Sequence, residues 1–342
     1  MNERLKRLIQ ESPKAELHYH IDSIPPELAL RFAERNQIKM PFSTLDEAKA
    51  FYHFSNLEEF INTLVIPISA IHTEDDFCDM IIACAQDMEN QNIIYREIMF
   101  DYSGCFAPNG VSLGTVMTGF AKGLEIIGKK YPRRDIRMIP NLDRTASPED
   151  NLQVLAEIAT YKEAMPIIAI GMDMQENGYP ASIQKDVYAK AKELGFFVTG
   201  HAGEDDGAES IWNSIHSMNP DRIDHGVRAV EDATLMDHLK EKQLLLTLCP
   251  DSNVMLGVYP AWESFPLREF ISRDIPVCLN SDDPPCFQYD LTGNLLKAAE
   301  TFNLSETEIV QLIRAPFIHN FAGQEYLREV DTWLSDFRNN KR

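Results

Sequence analysis

Four short motifs each close an apolar run and carry side chains able to do chemistry. They are His18-Tyr19-His20, His201-Ala202-Gly203-Glu204, Asp224-His225-Gly226 and Ser281-Asp282-Asp283-Pro284. Residues i and i+2 of a strand point to one face, so His18 and His20 can project together. With His201 and Asp282 they supply three imidazoles and a carboxylate. That donor set suits zinc, and iron, manganese and cobalt accept the same ligand types. Glu204, three residues after His201, is a carboxylate placed beside the set to exchange protons with a substrate, and His225 is a base in the same neighbourhood. Asp283 cannot share the direction of Asp282 on a regular strand, which leaves it as an acidic acceptor for substrate or water. Together these groups are equipped for metal-assisted hydrolysis.

Side chains so far apart in sequence need a scaffold that brings strand ends together. Eight short apolar runs recur: 16–21, 93–100, 136–141, 167–172, 196–200, 222–224, 244–249 and 276–280. Helical patterns such as Ala181–Leu194 and Ala229–Lys240 lie between them. Strands that alternate with helices pair in parallel, because a parallel crossover needs a dozen or more residues. Eight such units predict an α/β protein with a (β/α)8 barrel, whose active site lies at the C-terminal strand ends. All four motifs fall there. A doubly wound open sheet would want a Gly-rich turn after an early strand, and the first run ends instead in His-Tyr-His.

A barrel of this type takes about 250 residues, so the 342-residue chain has length to spare. The surplus falls between the first two runs, about residues 22–92, where Pro26–Gln37, Thr44–Ala50 and Leu57–Leu64 look helical. A helical lid over the barrel mouth is expected there. No linker-like or repetitive stretch divides residues 1–342, so one domain is expected, and 331–342 reads as a polar tail.

The net charge of −21 argues against nucleic acid or an anionic membrane as partner. No run reaches the roughly 20 apolar residues of a membrane span, and Met1–Leu17 lacks the apolar stretch of a signal peptide. The six cysteines form no Cys-x-x-Cys pair and several sit in apolar runs. A reduced, cytoplasmic protein with free thiols is expected. The remaining histidines, His53, His72, His216, His238 and His319, lack a comparable context. Met99, Met172, Met174 and Met255 read as packing. The sequence carries no signal for oligomeric state.

The combination of His201-Ala202-Gly203-Glu204, Cys249-Pro250-Asp251-Ser252-Asn253 and Ser281-Asp282-Asp283-Pro284 resembles the adenosine/adenine deaminase family of metal-dependent amidohydrolases. The resemblance runs from Pro13 to Phe317. It implies a barrel with one zinc held by His18, His20, His201 and Asp282. It further implies His225 as the group that orients or deprotonates water, Glu204 as the proton donor to purine N1, and Asp283 as a contact to water or the N7 side. His20, Asp22, Asp173, Glu176 and Gly203 would contact the small-molecule purine.

The substrate markers disagree. Adenosine-type members resemble His-x-His-Leu-Asp-Gly, with the Asp reaching ribose, and adenine-type members His-x-His-Ile-Glu-Gly. This chain has His20-Ile21-Asp22-Ser23, and Ser23 stands where both groups carry Gly. The stretch Gly171–Pro180 is similar to the adenine branch. Asp22 favours adenosine, with adenine or an N6-modified adenine as the alternative. An amidohydrolase acting on another amino-heterocycle is a further reading, which Glu204 argues against. A non-catalytic relative should have lost one of these groups, and none is missing.

Overall fold

The computed structural model describes residues 1–340. A first helix, α1 (Glu3–Glu11), precedes β1 (Lys14–His20). Further strands are β2 (Ile93–Asp101), β3 (Asp135–Asp143), β4 (Ala169–Asp173), β5 (Phe197–Val198), β6 (His201–Ala202), β7 (Ile223–His225), β8 (Leu246–Leu248) and β9 (Val277–Leu279). All pair in parallel, in the orders β1-β2-β3-β4-β5 and β6-β7-β8-β9. Every residue of β1 and β2 is buried, as expected for strands covered on both faces.

The fifth run, expected as one strand, is interrupted at Thr199-Gly200. Its backbone still bonds to both sides: Thr199 N donates to Ile170 O (3.1 Å), and Gly200 O accepts from Asp224 N (3.0 Å). At the other seam Tyr19 bridges to Asp282, and His20 N donates to Asp282 O (2.8 Å). The pairing thus runs round a (β/α)8 barrel, with its fifth strand in two pieces.

The insertion after β1 holds α2 (Pro26–Asn36), α3 (Leu45–Phe51) and α4 (Leu57–Ile68), close to the expected helices. Each start has a physical cause. Proline opens α2, Thr44 and Glu47 form a capping box on α3, and the Asn56 side chain accepts from Glu59 N at α4. The fourth helix of this stretch, α5 (Glu74–Gln91), packs on β2 and on α6 (Leu113–Lys130). It packs as the crossover helix of the barrel, so the inserted helices end before it.

Two other expectations are corrected. Residues 181–184 form a 3-10 turn before the helix Lys185–Glu193. The supposed polar tail is mostly helix, Leu327–Arg338, which buries Val330, Trp333, Leu334 and Phe337 at helical spacing; Lys341 and Arg342 lie outside the described residues. All six cysteines are free, five of them buried. Among the described residues no helix is long and apolar enough to cross a membrane.

Candidate active site

His18, His20, His201 and Asp282 come together at the C-terminal strand ends, with their ligand atoms all within 4.8 Å of one another. His20 Nε2 lies 3.3 Å from His18 Nε2 and 3.2 Å from His201 Nε2, and Asp282 Oδ1 lies 3.1 Å from His18 Nε2. Two outer contacts fix which nitrogen carries each proton. His201 Nδ1 lies 2.8 Å from the carbonyl oxygen of Met172, which can only accept. Thr247 Oγ1 donates to Asp224 Oδ1 (2.9 Å) and so accepts from His18 Nδ1 (3.0 Å). Both rings therefore turn an Nε2 lone pair inward.

This donor set fits a divalent metal. Imidazole–zinc bonds of about 2.0–2.1 Å place neighbouring corners of a tetrahedron about 3.3 Å apart, the spacing seen between the rings. Burial and the neighbouring imidazoles hold His201 well below its ordinary pKa, so it stays neutral. Burial opposes ionisation of Asp282, but His18 and His225 hold its carboxyl well below the usual range.

Glu204 and His225 flank the set. His225 Nε2 stands 3.4 Å from Glu204 Oε2 and 3.9 Å from Asp282 Oδ2. Burial lowers His225 to about 4, leaving a neutral imidazole at neutral pH. Burial, followed by the charges of Asp282, Glu176, Asp205 and Asp283, raises the Glu204 carboxyl well above its usual range. The Asn253 side-chain amide lies 3.3 Å from His225 Nδ1 and so bears on that ring's tautomer.

The Glu204 loop is held from behind. Glu176 accepts from the backbone N–H of Gly203 (2.8 Å), Glu204 (2.7 Å) and Asp205 (3.1 Å), and from the Ser210 hydroxyl. Glu176 and Gly203, expected at the substrate, thus spend their polar groups on each other and do not line the pocket. Gly203 has φ +70°, and a Cβ there would lie 2.4 Å from Ile211 Cδ1, so the turn needs glycine.

Asp282 and Asp283 both line the pocket, contrary to simple strand alternation. The reason is local: Asp282 has φ +64° and is not in extended conformation. Asp283 accepts a hydrogen bond from the Ser23 hydroxyl. A second stretch of the wall carries Asp22, Asp101 and Asp173, and Asp22 Oδ1 lies 3.7 Å from His20 Nδ1. Asp22 Oδ2 accepts from Asp101 N (3.0 Å), and Asp173 Oδ2 from Asn141 Nδ2 (2.9 Å). Burial brings Asp173 up to about 7.

A third wall is apolar, formed by Leu57, Phe60, Ile61, Leu64, Val65 and Ile68 of α4. Met174, expected as packing, also faces the pocket, and no lysine or arginine does among the described residues. Sequence reasoning passed over Asp101 and Thr247 and gave Asn253 no role beyond its motif. Asp101 was detectable as an acidic residue closing a barrel strand.

The model of the family described as Adenosine deaminase matches residues 13–333. The chain belongs to the adenosine deaminase family. It is 34% identical over 333 residues to the adenine deaminase of Psychrobacter cryohalolentis, covering 95% of this chain and 98% of the relative. Identity is 35% to the adenine deaminase of Crocosphaera subtropica, over 93% and 96% of the two chains. The crystal structure of an adenine deaminase from Arthrobacter aurescens matches with a TM-score of 0.89 at 31% identity, over 95% of this chain and 99% of that one. An amidohydrolase structure with bound Zn, 18% identical, shares the fold with a TM-score of 0.88 over 99% and 95% of the chains. As a member of the adenosine deaminase family, the protein is a hydrolytic deaminase.

Proposed function

We propose that the protein hydrolyses adenine at C6, giving hypoxanthine and ammonia, with one zinc held by His18, His20, His201 and Asp282. The observation that carries this reading is the buried pair of Glu204 and His225 beside that donor set. A bound divalent zinc supplies Lewis acidity, so that water can act as hydroxide near neutral pH. His225, neutral and beside Asp282, takes the proton that the attacking water loses. Glu204 delivers a proton to ring N1, which neutralises charge as the ring loses aromaticity. Asp283, steadied by Ser23, accepts a hydrogen bond at the reacting centre. The proton held by His225 passes to the amine, ammonia leaves, and the C6 hydroxyl returns a proton to Glu204 as C6=O forms and the ring's conjugation is restored.

The free base is supported over adenosine by the relatives that are adenine deaminases. The expectation drawn from Asp22 gives way to that weight. Asp22 lines the pocket, but one of its oxygens is already engaged by Asp101 N. Nucleotides fit poorly, since a phosphate would meet Asp22, Asp101 and Asp173 with no lysine or arginine on the lining among the described residues. Zinc-loaded protein should release ammonia from adenine faster than from adenosine when the two are assayed in parallel. Faster adenosine turnover would restore the ribose reading of Asp22.

A further inference from the structure

Two buried carboxylate oxygens in the pocket have no partner: Asp101 Oδ2 and Asp173 Oδ1. Their residues are only 1% and 8% exposed. Leaving such acceptors unpaired is costly unless a ligand satisfies them. The remaining oxygen of each is fixed by protein. Asp101 Oδ1 accepts from Ser103 Oγ and Gly104 N, both at 2.9 Å. Asn141 Nδ2 holds Asp173, and Asn141 lies next to Asp101 in register on β3. Gly171 makes that reach possible, because a Cβ there would stand 1.8 Å from Asn141 Oδ1. Both residues line the pocket, and each is thus held by one carboxylate oxygen while the other is left without a protein partner.

Their place in the barrel says which part of a substrate they meet. The metal-type donors, Glu204, His225 and Asp283 come from the ends of β1, β6, β7 and the segment after β9. Asp101 and Asp173 come from the ends of β2 and β4, which flank β3 and lie across the mouth from β7 and β9. A purine with C6 and N1 toward the first group turns the opposite edge, N3 and N9, toward the second. In a free base that edge carries one ring N–H and one bare ring nitrogen. An N9-substituted purine has no N–H there.

We infer that Asp101 and Asp173 form a carboxyl pair that grips the N3/N9–H edge of an unsubstituted purine and selects free base over nucleoside. This rests on the reading of the protein as a purine C6 deaminase and names the device behind its choice of base. One carboxylate accepts the ring N–H, and the other carboxyl, holding a proton, donates to the bare nitrogen. Burial raises both groups, and the charge of Asp173 adds to the rise at Asp101. A site built around such bonds rejects analogues lacking the N–H strongly, by roughly 10⁴-fold in the best cases.

The test compares adenine with 9-methyladenine, which keeps N3 and the reacting amidine but lacks the N–H. The zinc-loaded parent should prefer adenine by at least about 10³-fold in kcat/KM. Asp101→Asn and Asp173→Asn should each lower adenine kcat/KM roughly 10- to 100-fold and 9-methyladenine by less than about threefold. As a check that needs no variant, purine should inhibit the parent at least about tenfold more tightly than 9-methylpurine. Adenine turnover with unchanged discrimination in both variants, or equal inhibition by the two purines, would overturn the carboxyl pair and leave the deaminase reading intact. A parent inert toward adenine overturns both.

Discussion

Thr247 Oγ1 stands 3.0 Å from His18 Nδ1, and its own proton is committed to Asp224. Asp224 is in turn held by Arg222 Nε (3.3 Å) and Thr199 Oγ1 (2.6 Å). Arg222 also pairs with Glu97 at 2.6 Å. A buried charged network therefore ends on one proton of one imidazole and keeps its far nitrogen free for a metal. Outer contacts of this kind are typically worth 10- to 100-fold in metal affinity. Thr247→Val should weaken zinc binding by about that factor in chelator competition, and Thr247→Ser should restore it. Equal zinc affinity in the valine variant would show that His18 needs no such partner.

Glu176 makes a separate prediction because its carboxylate serves three backbone N–H groups. Each donor left buried and unpaired costs about 1–3 kcal/mol. Glu176→Ala should therefore lower unfolding free energy by several kcal/mol, at about 2–5 kcal/mol after local relaxation. It should also reduce kcat by misplacing Glu204, with zinc content unchanged. A variant as stable as the parent would remove Glu176 from its role in holding the loop.

The difference between Glu176 as expected and Glu176 as found shows what sequence can reveal here. Ligands at strand ends follow from period-two geometry and barrel topology, so His18, His20, His201 and Asp282 were legible as a set. The helices after β1 were legible too, α2 from its opening proline and apolar spacing. Backbone departures from extended geometry were not. The positive φ of Asp282 turns Asp283 into the pocket, and the turn at Gly203 presents N–H groups to Glu176. Partnerships such as Thr247 with His18 join residues 229 positions apart, and no local pattern encodes them. The final helix was missed because its apolar stripe is thin and set among charged residues.

Ser23 offers its hydroxyl to Asp283 in a wholly buried contact. Removing it leaves one carboxylate oxygen of Asp283 without a donor. Ser23→Ala should lower kcat several-fold, about 1 kcal/mol or slightly more in transition-state terms, with little change in zinc content. Ser23→Thr, which keeps the hydroxyl, should recover part of the loss. If alanine left kcat untouched, Asp283 would be held well enough without Ser23.

Glu204 links pH to both rate and stability, and the two effects have opposite signs in one variant. Burial first, and then the surrounding carboxylates, raises its folded pKa above the ordinary 4.5. Between those two values the unfolded chain has lost the proton and the folded protein keeps it. Stability therefore falls as pH rises from about 4.5 through the raised folded value. The same retained proton is the one delivered to N1, so kcat/KM should fall on the alkaline side as Glu204 ionises. Glu204→Gln cannot ionise. It should lose roughly 10²- to 10⁴-fold in kcat while keeping zinc, yet unfold at a higher temperature than the parent in alkaline buffer. Paired melting curves and rate profiles from pH 5 to 9 would check both. A glutamine variant with near-parent turnover would take proton delivery away from Glu204. One with an unchanged pH slope of stability would mean that the folded carboxyl ionises as it does in water.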